Sequence, residues 1–81
     1  MAIILEKTEG NLIEVVVTSS NIGRAVFNTE DNNLMIEFNN GSIYEYEKVP
    51  LEVFTDFKKA ESQGKHFNAN ISRSFKYKKI K

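Results

Sequence analysis

Two short runs, Leu34-Met35-Ile36-Glu37-Phe38 and Ser42-Ile43-Tyr44-Glu45-Tyr46, flank Asn39-Asn40-Gly41. Alternating segments separated by Asn and Gly read as a β-hairpin. Its register decides what the chain can bury, because a one-residue slip moves every side chain to the other face. A two-residue Asn40-Gly41 turn would set Ile36 opposite Glu45 and Leu34 opposite Glu47. A three-residue turn with Gly41 in the left-handed region sets Ile36 opposite Tyr44 and Leu34 opposite Tyr46. The second register collects Leu34, Ile36, Phe38, Tyr44 and Tyr46 on one face. It leaves Met35, Glu37, Ile43 and Glu45 on the other. Burial of apolar surface favours it.

Past Val49 the period of the pattern changes from two to about 3.6. Pro50, Val53, Phe54 and Phe57 follow helical spacing, with Ala60 and Glu61 continuing it. Pro50 suits a first helical turn, where its missing N–H costs nothing. Glu52 and Asp56 lie towards the start and Lys58 and Lys59 towards the end, as the helix dipole prefers. Gly64 reads as the stop. The spacing thus predicts one helix over 50–63, its apolar stripe laid on the Leu34–Tyr46 face.

Upstream, the β-branched segment from Ile13 to Thr18 reads as a strand, and Ile22 to Phe27 as another. Ile3-Ile4-Leu5 forms a short strand paired with the first through the turn chemistry of Thr8-Glu9-Gly10-Asn11. Asn28 to Asn33 carries no apolar residue and reads as a turn. Downstream, Lys65 to Ile71 reads as irregular or a short turn, and Ser72 to Ile80 alternates as a last strand or an extended arm. The expected fold is α+β: a small antiparallel β-sheet of about 4–5 strands packed by one amphipathic α-helix, with a basic C-terminal strand or arm.

A chain of 81 residues has room for one domain with a modest core. It has no cysteine, which excludes disulfides and thiolate metal sites. No apolar run is long enough to span a bilayer, and Met1 to Leu5 is too short for a signal-peptide core. A cytoplasmic protein, monomeric or weakly dimeric and without membrane attachment, is the expectation.

Charge is unevenly placed. All 11 acids lie between Glu6 and Glu61. Five bases oppose them over residues 1–64, leaving −6, whereas the last 17 residues carry six bases and no acid. Such asymmetry points to an anionic partner, or to a tail that folds back on an acidic body. The candidate nucleic-acid-binding residues are Lys65, Arg73, Lys76, Tyr77, Lys78 and Lys79, where phosphate-neutralising charge alternates with an aromatic surface. The alternative is that Phe75 and Tyr77 close the core while the lysines are solvated.

Catalytic chemistry has little to draw on. His66 is the one histidine, placed in the expected turn and read as solvated; Ser19 and Ser20 have no evident base. No His, Asp or Glu spacing matches a metal site, and the four glycines are dispersed rather than grouped as a phosphate loop. The expectation is no enzyme, no metal and no cofactor. Tyr44 and Tyr46 carry either base stacking or core packing, and the register favours packing. Ser19-Ser20-Asn21 reads as a turn lock or as the lining of a polar site.

Several blocks in order resemble the KTSC domain, a small module named for its occurrence at the C-terminus of some lysyl-tRNA synthetases. The family also occurs as stand-alone bacterial and phage proteins. The matching residues are Ser19-Ser20-Asn21-Ile22, Phe27, Leu34 to Phe38, Asn40-Gly41-Ser42 and Tyr44-Glu45-Tyr46. Val49-Pro50, Gly64-Lys65, Phe67-Asn68 and Ile71 follow, with Phe75 and Tyr77 as the closing aromatic pair. The resemblance makes residues 13–81 the KTSC-like domain and 1–12 an N-terminal extension with an extra strand. It marks Ser19, Ser20, Asn21, Tyr44, Tyr46, Phe67 and Asn68 as family-motif positions, structural or binding. Through its link to a tRNA ligase it implies RNA as a partner. The second expectation, from a different class, is a phage or bacterial protein–protein interaction module docking on a host or partner protein.

Overall fold

The computed structural model describes residues 3–81 and side chains from Leu5 onward; Met1 and Ala2 lie outside the described residues. Six strands form one sheet in the order of the chain: β1 (Ile3–Glu9), β2 (Leu12–Val17), β3 (Ile22–Asn28), β4 (Asn33–Phe38), β5 (Ile43–Tyr46) and β6 (Tyr77–Lys79). All neighbours are antiparallel. Two helices, α1 (Leu51–Lys59) and α2 (Gln63–Asn70), stand between β5 and β6 in sequence. The sheet therefore has one strand more than the upper expectation, and a second helix joins the first.

The β4–β5 hairpin takes the three-residue register. Leu34 lies opposite Tyr46, Ile36 opposite Tyr44 and Met35 opposite Glu45. Gly41 has φ of 93°, a conformation that glycine adopts without steric cost. Its N–H donates to Phe38 O at 3.0 Å, closing the turn. The β1–β2 turn similarly uses Gly10, at φ 60°.

Register carries the alternation across the sheet. Val15, Ala25, Ile36 and Tyr44 lie side by side in one row, and Ile13, Phe27, Leu34, Tyr46 and Tyr77 in the next. Val15, Ala25, Phe27, Leu34, Ile36 and Tyr46 are buried beneath the helices. Among the described residues no helix lies over the opposite face. There Arg24 is clamped between Glu14 at 2.8 Å and Glu37 at 2.9 Å. The hydrogen bond to Glu14 and the two nearby carboxylates raise its pKa further, against a smaller opposing effect of burial. The pair is partly exposed, so its value lies in orientation more than in stability.

The helical region departs from the expected single helix over 50–63. The chain leaves α1 at Ala60, which is extended at φ −63°, ψ 143°. Ser62 then caps α2, its Oγ accepting from Lys65 N at 3.4 Å. Gln63 is buried and its Nε2 donates to Ala60 O at 3.0 Å, satisfying a carbonyl left open where α1 ends. Gly64 is not a stop. It lies inside the first turn of α2, where a Cβ would meet Asn21 Oδ1 at 2.8 Å and Ser19 Oγ at 3.2 Å.

The segment expected to be irregular, 65–70, is helical because burying Phe67 and Ile71 on one side of it repays the ordering. The two helices also divide the cover. Phe54 of α1 stacks on Phe27 of β3 with centroids 4.9 Å apart, and Lys58 reaches Glu6 of β1 at 3.0 Å. Phe67 of α2 packs edge-on against Phe38 and Tyr46, at 5.6 and 5.4 Å. The second helix therefore covers Phe38 and Tyr46 of the β4–β5 hairpin, which the expected single helix was to cover alone.

Candidate nucleic-acid interface

The basic tail is the closing strand of the sheet. Tyr77 lies opposite Tyr46, Lys78 opposite Glu45 and Lys79 opposite Tyr44. Glu47 N donates to Lys76 O at 2.9 Å and Ile80 N to Ile43 O at 2.7 Å, so the pairing runs from Lys76 to Ile80. Main-chain groups alternate along a strand, so those of Tyr77 and Lys79 are directed to the outer edge.

Side chains alternate as well. Lys78 falls on the uncovered face, 3.5 Å from Glu45. Among the described residues it is the one member of the basic set held by a carboxylate. Lys79 and Tyr77 fall on the helix side. Lys76, Lys79, Arg73 and Lys65 are exposed. Arg73 sits in the turn that leads from α2 to β6, and Lys65 in the first turn of α2. The edge thus brings Lys76, Tyr77, Lys78 and Lys79 together, with Arg73 leading into it, while Lys65 belongs to the helix.

Three tyrosines meet beside this edge. Tyr77, 55% exposed, lies 5.5 Å from the Tyr44 ring and 5.4 Å from that of Tyr46. Tyr44 is half-buried and Tyr46 is buried. The core therefore takes Tyr46 and Phe67, while Tyr77 and the rim of Tyr44 remain open to a ligand. Phe75 is partly buried against the core.

Burial pushes the Tyr46 hydroxyl up to about 12, with Tyr77 and Tyr44 adding to the effect. The folded chain keeps this proton at a pH where the unfolded chain has lost it. This contribution to stability is intact below about pH 10 and is lost as the pH rises through about 12. An alkaline absorbance titration is expected to show a late phenolate phase that Tyr46→Phe removes. Persistence of that phase in the variant would refute the assignment.

Of the family-motif residues, Ser19, Ser20 and Asn21 lie together at one end of the sheet. In the β2–β3 connection Ser19 Oγ accepts from Asn21 N at 3.4 Å and Ile22 N at 3.3 Å, and donates to Asn21 Oδ1 at 3.0 Å. Asn39 ties the β4–β5 turn to this connection. Its N donates to Asn21 O at 2.8 Å and its Nδ2 to Ser19 O at 2.9 Å. Asn40 Oδ1 accepts from Ser42 N at 3.0 Å within the turn. Ser20, Asn21, Phe38, Asn39 and Asn40 line a concavity of about 390 Å³. In the sequence Asn39 reads as a turn residue only, and nothing local marks its tie to the β2–β3 connection. Asn68 is exposed on α2, its carbonyl accepting from Ser72 Oγ at 3.4 Å.

His66 is not the solvated turn histidine expected. It sits on α2 with its ring 6.2 Å from Phe57 and Nδ1 3.2 Å from Asn70 Nδ2, and its Nε2 is buried without a hydrogen-bond partner. Among the described residues no group of three or more His, Asp or Glu side chains is placed to hold a metal ion. Among them also, no helix is long and apolar enough to cross a membrane.

A single antiparallel sheet with two helices on one face and a lysine-rich, tyrosine-lined edge defines a small α+β module. The chain belongs to the KTSC domain family, whose model matches residues 18–75. The match takes in α1, α2 and the Ser19–Asn21 and Asn39–Ser42 turns, and ends before β6. A KTSC domain protein from Yersinia pestis superposes with a TM-score of 0.79 at 30% identity, covering 86% of this chain and 99% of that one. The chain is also similar to a lysine–tRNA ligase of Nostoc punctiforme, 43% identical over 54 residues. That stretch is 67% of this chain and 10% of the ligase. An uncharacterized protein of Stutzerimonas stutzeri is 39% identical over 54 residues, 67% of this chain and 76% of that protein. The chain thus spans about a tenth of the length of the ligase it matches.

Proposed function

We propose that this domain is a non-enzymatic module that binds single-stranded RNA along β6. One observation carries the reading: an exposed aromatic, Tyr77, is braced by Tyr44 and Tyr46 between lysines on an edge strand. Lysines supply phosphate neutralisation and release of counterions. A tyrosine fixed by two others supplies a stacking platform at small entropic cost. Similarity to a segment of a lysine–tRNA ligase, whose substrate is an RNA, supports the same partner class. Lysines on an edge also discourage strand-to-strand aggregation, and that role is compatible with binding.

The test is fluorescence anisotropy on a short single-stranded RNA at low salt. Submillimolar binding is expected, with a log–log salt slope of about −3 if four bases meet phosphates. Changing Arg73, Lys76, Lys78 and Lys79 to Ala is expected to weaken binding at least about tenfold and flatten the slope. Equal binding by wild type and variant, or binding by neither, defeats the proposal.

A second reading draws on the uncovered sheet face. Leu5, opposite Val16, and Leu12, beside Val26 and Met35, are 53% and 45% exposed there. That surface favours docking of a host or partner protein. Capture of a stoichiometric protein that survives nuclease and moderate salt, and is lost on Leu5→Lys, is its test; a partner-free capture counts against it.

A further inference from the structure

We propose that the concavity lined by Ser20, Asn21, Phe38, Asn39 and Asn40 is a nucleobase pocket, an inference that deepens the RNA reading above. Its volume of about 390 Å³ lies within the range of small-ligand sites. What it can bind follows from an inventory of its polar atoms.

The internal hydrogen bonds fix which way each amide faces. Ser19 Oγ already accepts from two backbone N–H groups, so its proton is free to donate. The Asn21 atom it meets at 3.0 Å must then be the oxygen. That leaves Asn21 Nδ2 as an uncommitted donor. Asn40 Oδ1 is committed to Ser42 N, leaving Asn40 Nδ2 as a second donor. Asn39 spends its Nδ2 on Ser19 O, and its Oδ1 faces Gly23, outside the pocket lining. The Ser20 hydroxyl can do either. Two donors and a hydroxyl that can also accept form a mixed set.

Chemistry narrows the ligand class. A phosphate or carboxylate offers acceptors alone and calls for a cation, and none lines the pocket. A divalent ion is held chiefly by carboxylates, and none lines the pocket. A nucleobase offers donors and acceptors on one planar edge together with an apolar face. Phe38 supplies the apolar lining. It is half-buried and held from the core side by Tyr44 at 5.7 Å and Phe67 at 5.6 Å, both edge-on.

The pocket lies at the same end of the sheet as the C-terminal end of the basic edge. Ile43, the first residue after the β4–β5 turn, donates its N–H to Lys81 O at 3.0 Å. The C-terminal end of β6 therefore runs to the end of the sheet where the pocket opens. A single strand whose phosphates follow Lys76 to Lys81 would bring a base to it.

The experiment is an amide NMR titration of the full chain with adenosine, guanosine, cytidine, uridine and, separately, ribose. At least one nucleoside is expected to give saturable shifts at Ser20, Asn21 and Asn40, and ribose none. The double variant Ser20→Ala/Asn40→Ser is expected to lose them. It keeps an oxygen at position 40 for the turn, and an unchanged far-ultraviolet spectrum and melting profile will show that it folds. The Arg73/Lys76/Lys78/Lys79 alanine variant is expected to keep the nucleoside shifts while losing RNA affinity. Three results overturn the pocket: no nucleoside moves these amides, ribose moves them equally, or the folded double variant responds as wild type does. Nucleoside shifts without RNA binding would defeat the RNA reading and leave the pocket standing. RNA binding without nucleoside shifts would do the reverse.

Discussion

Replacing Phe54 with Ala is expected to cost about 3–5 kcal/mol, the range for truncating a buried aromatic. Phe54 is fully buried, stacks on Phe27 at 4.9 Å and lies 6.3 Å from Phe57. It is the side chain that seats α1 on β3. A chain of this length has a total stability of about 4–12 kcal/mol by the usual per-residue yield. The variant therefore loses a large share of its margin, and its melting temperature falls by well over about 10 °C. Leu51→Ala on the same helix is the control, since Leu51 is 52% exposed. Its expected cost is within about 0.5 kcal/mol. Denaturant unfolding monitored by tyrosine fluorescence measures both. A loss below about 1 kcal/mol for Phe54→Ala would mean that α1 is not anchored through this stack.

Gly64→Val is expected to destabilise by about 2–3 kcal/mol through overpacking. Its sign is informative, because helix propensity alone predicts the opposite: glycine in a helix is worse than a residue with a side chain. The opposing contact is specific. A Cβ at position 64 would stand 2.8 Å from Asn21 Oδ1, which Ser19 holds in place. In a double-mutant cycle, Asn21→Ala is expected to recover at least about 1 kcal/mol of the Gly64→Val loss. Strict additivity would show that Gly64 is needed for some other reason. A stabilising Gly64→Val would remove the close approach of α2 to the β2–β3 connection from the account of this fold.

The β4–β5 register was legible because the competing register would have placed Glu45 and Glu47 among Leu34 and Ile36. A burial penalty of that kind is visible in the pattern alone. The β1–β2 pairing was legible for a related reason, since Gly10 and Asn11 mark the turn between two β-branched runs. The second helix was not legible. Gln63 to Asn70 contains only Phe67 and Ala69 as apolar residues, and its first turn holds a glycine that local rules read as a terminator. It is helical because Phe67 has Phe38 and Tyr46 to pack on, and because Ser62 and Gln63 together bridge the end of α1. Local propensity carries no record of a partner that lies twenty or more residues away.

The candidate interface divides in the same way. The concentration of lysine and arginine after residue 64 is a property of composition, and so was the anionic class of partner it pointed to. Which of those charges stands free depends on strand alternation, which sets Lys78 beside Glu45 and Lys79 beside Tyr44. Fold class, hairpin register and charge asymmetry came from the chain itself, because pattern, turn chemistry and net charge are local quantities. The division of cover between α1 and α2, the bracing of Tyr77 and the meeting of Asn21 with Asn39 were decided only by tertiary structure. Each depends on residues far apart in sequence being brought within a few ångströms by the burial of a shared core.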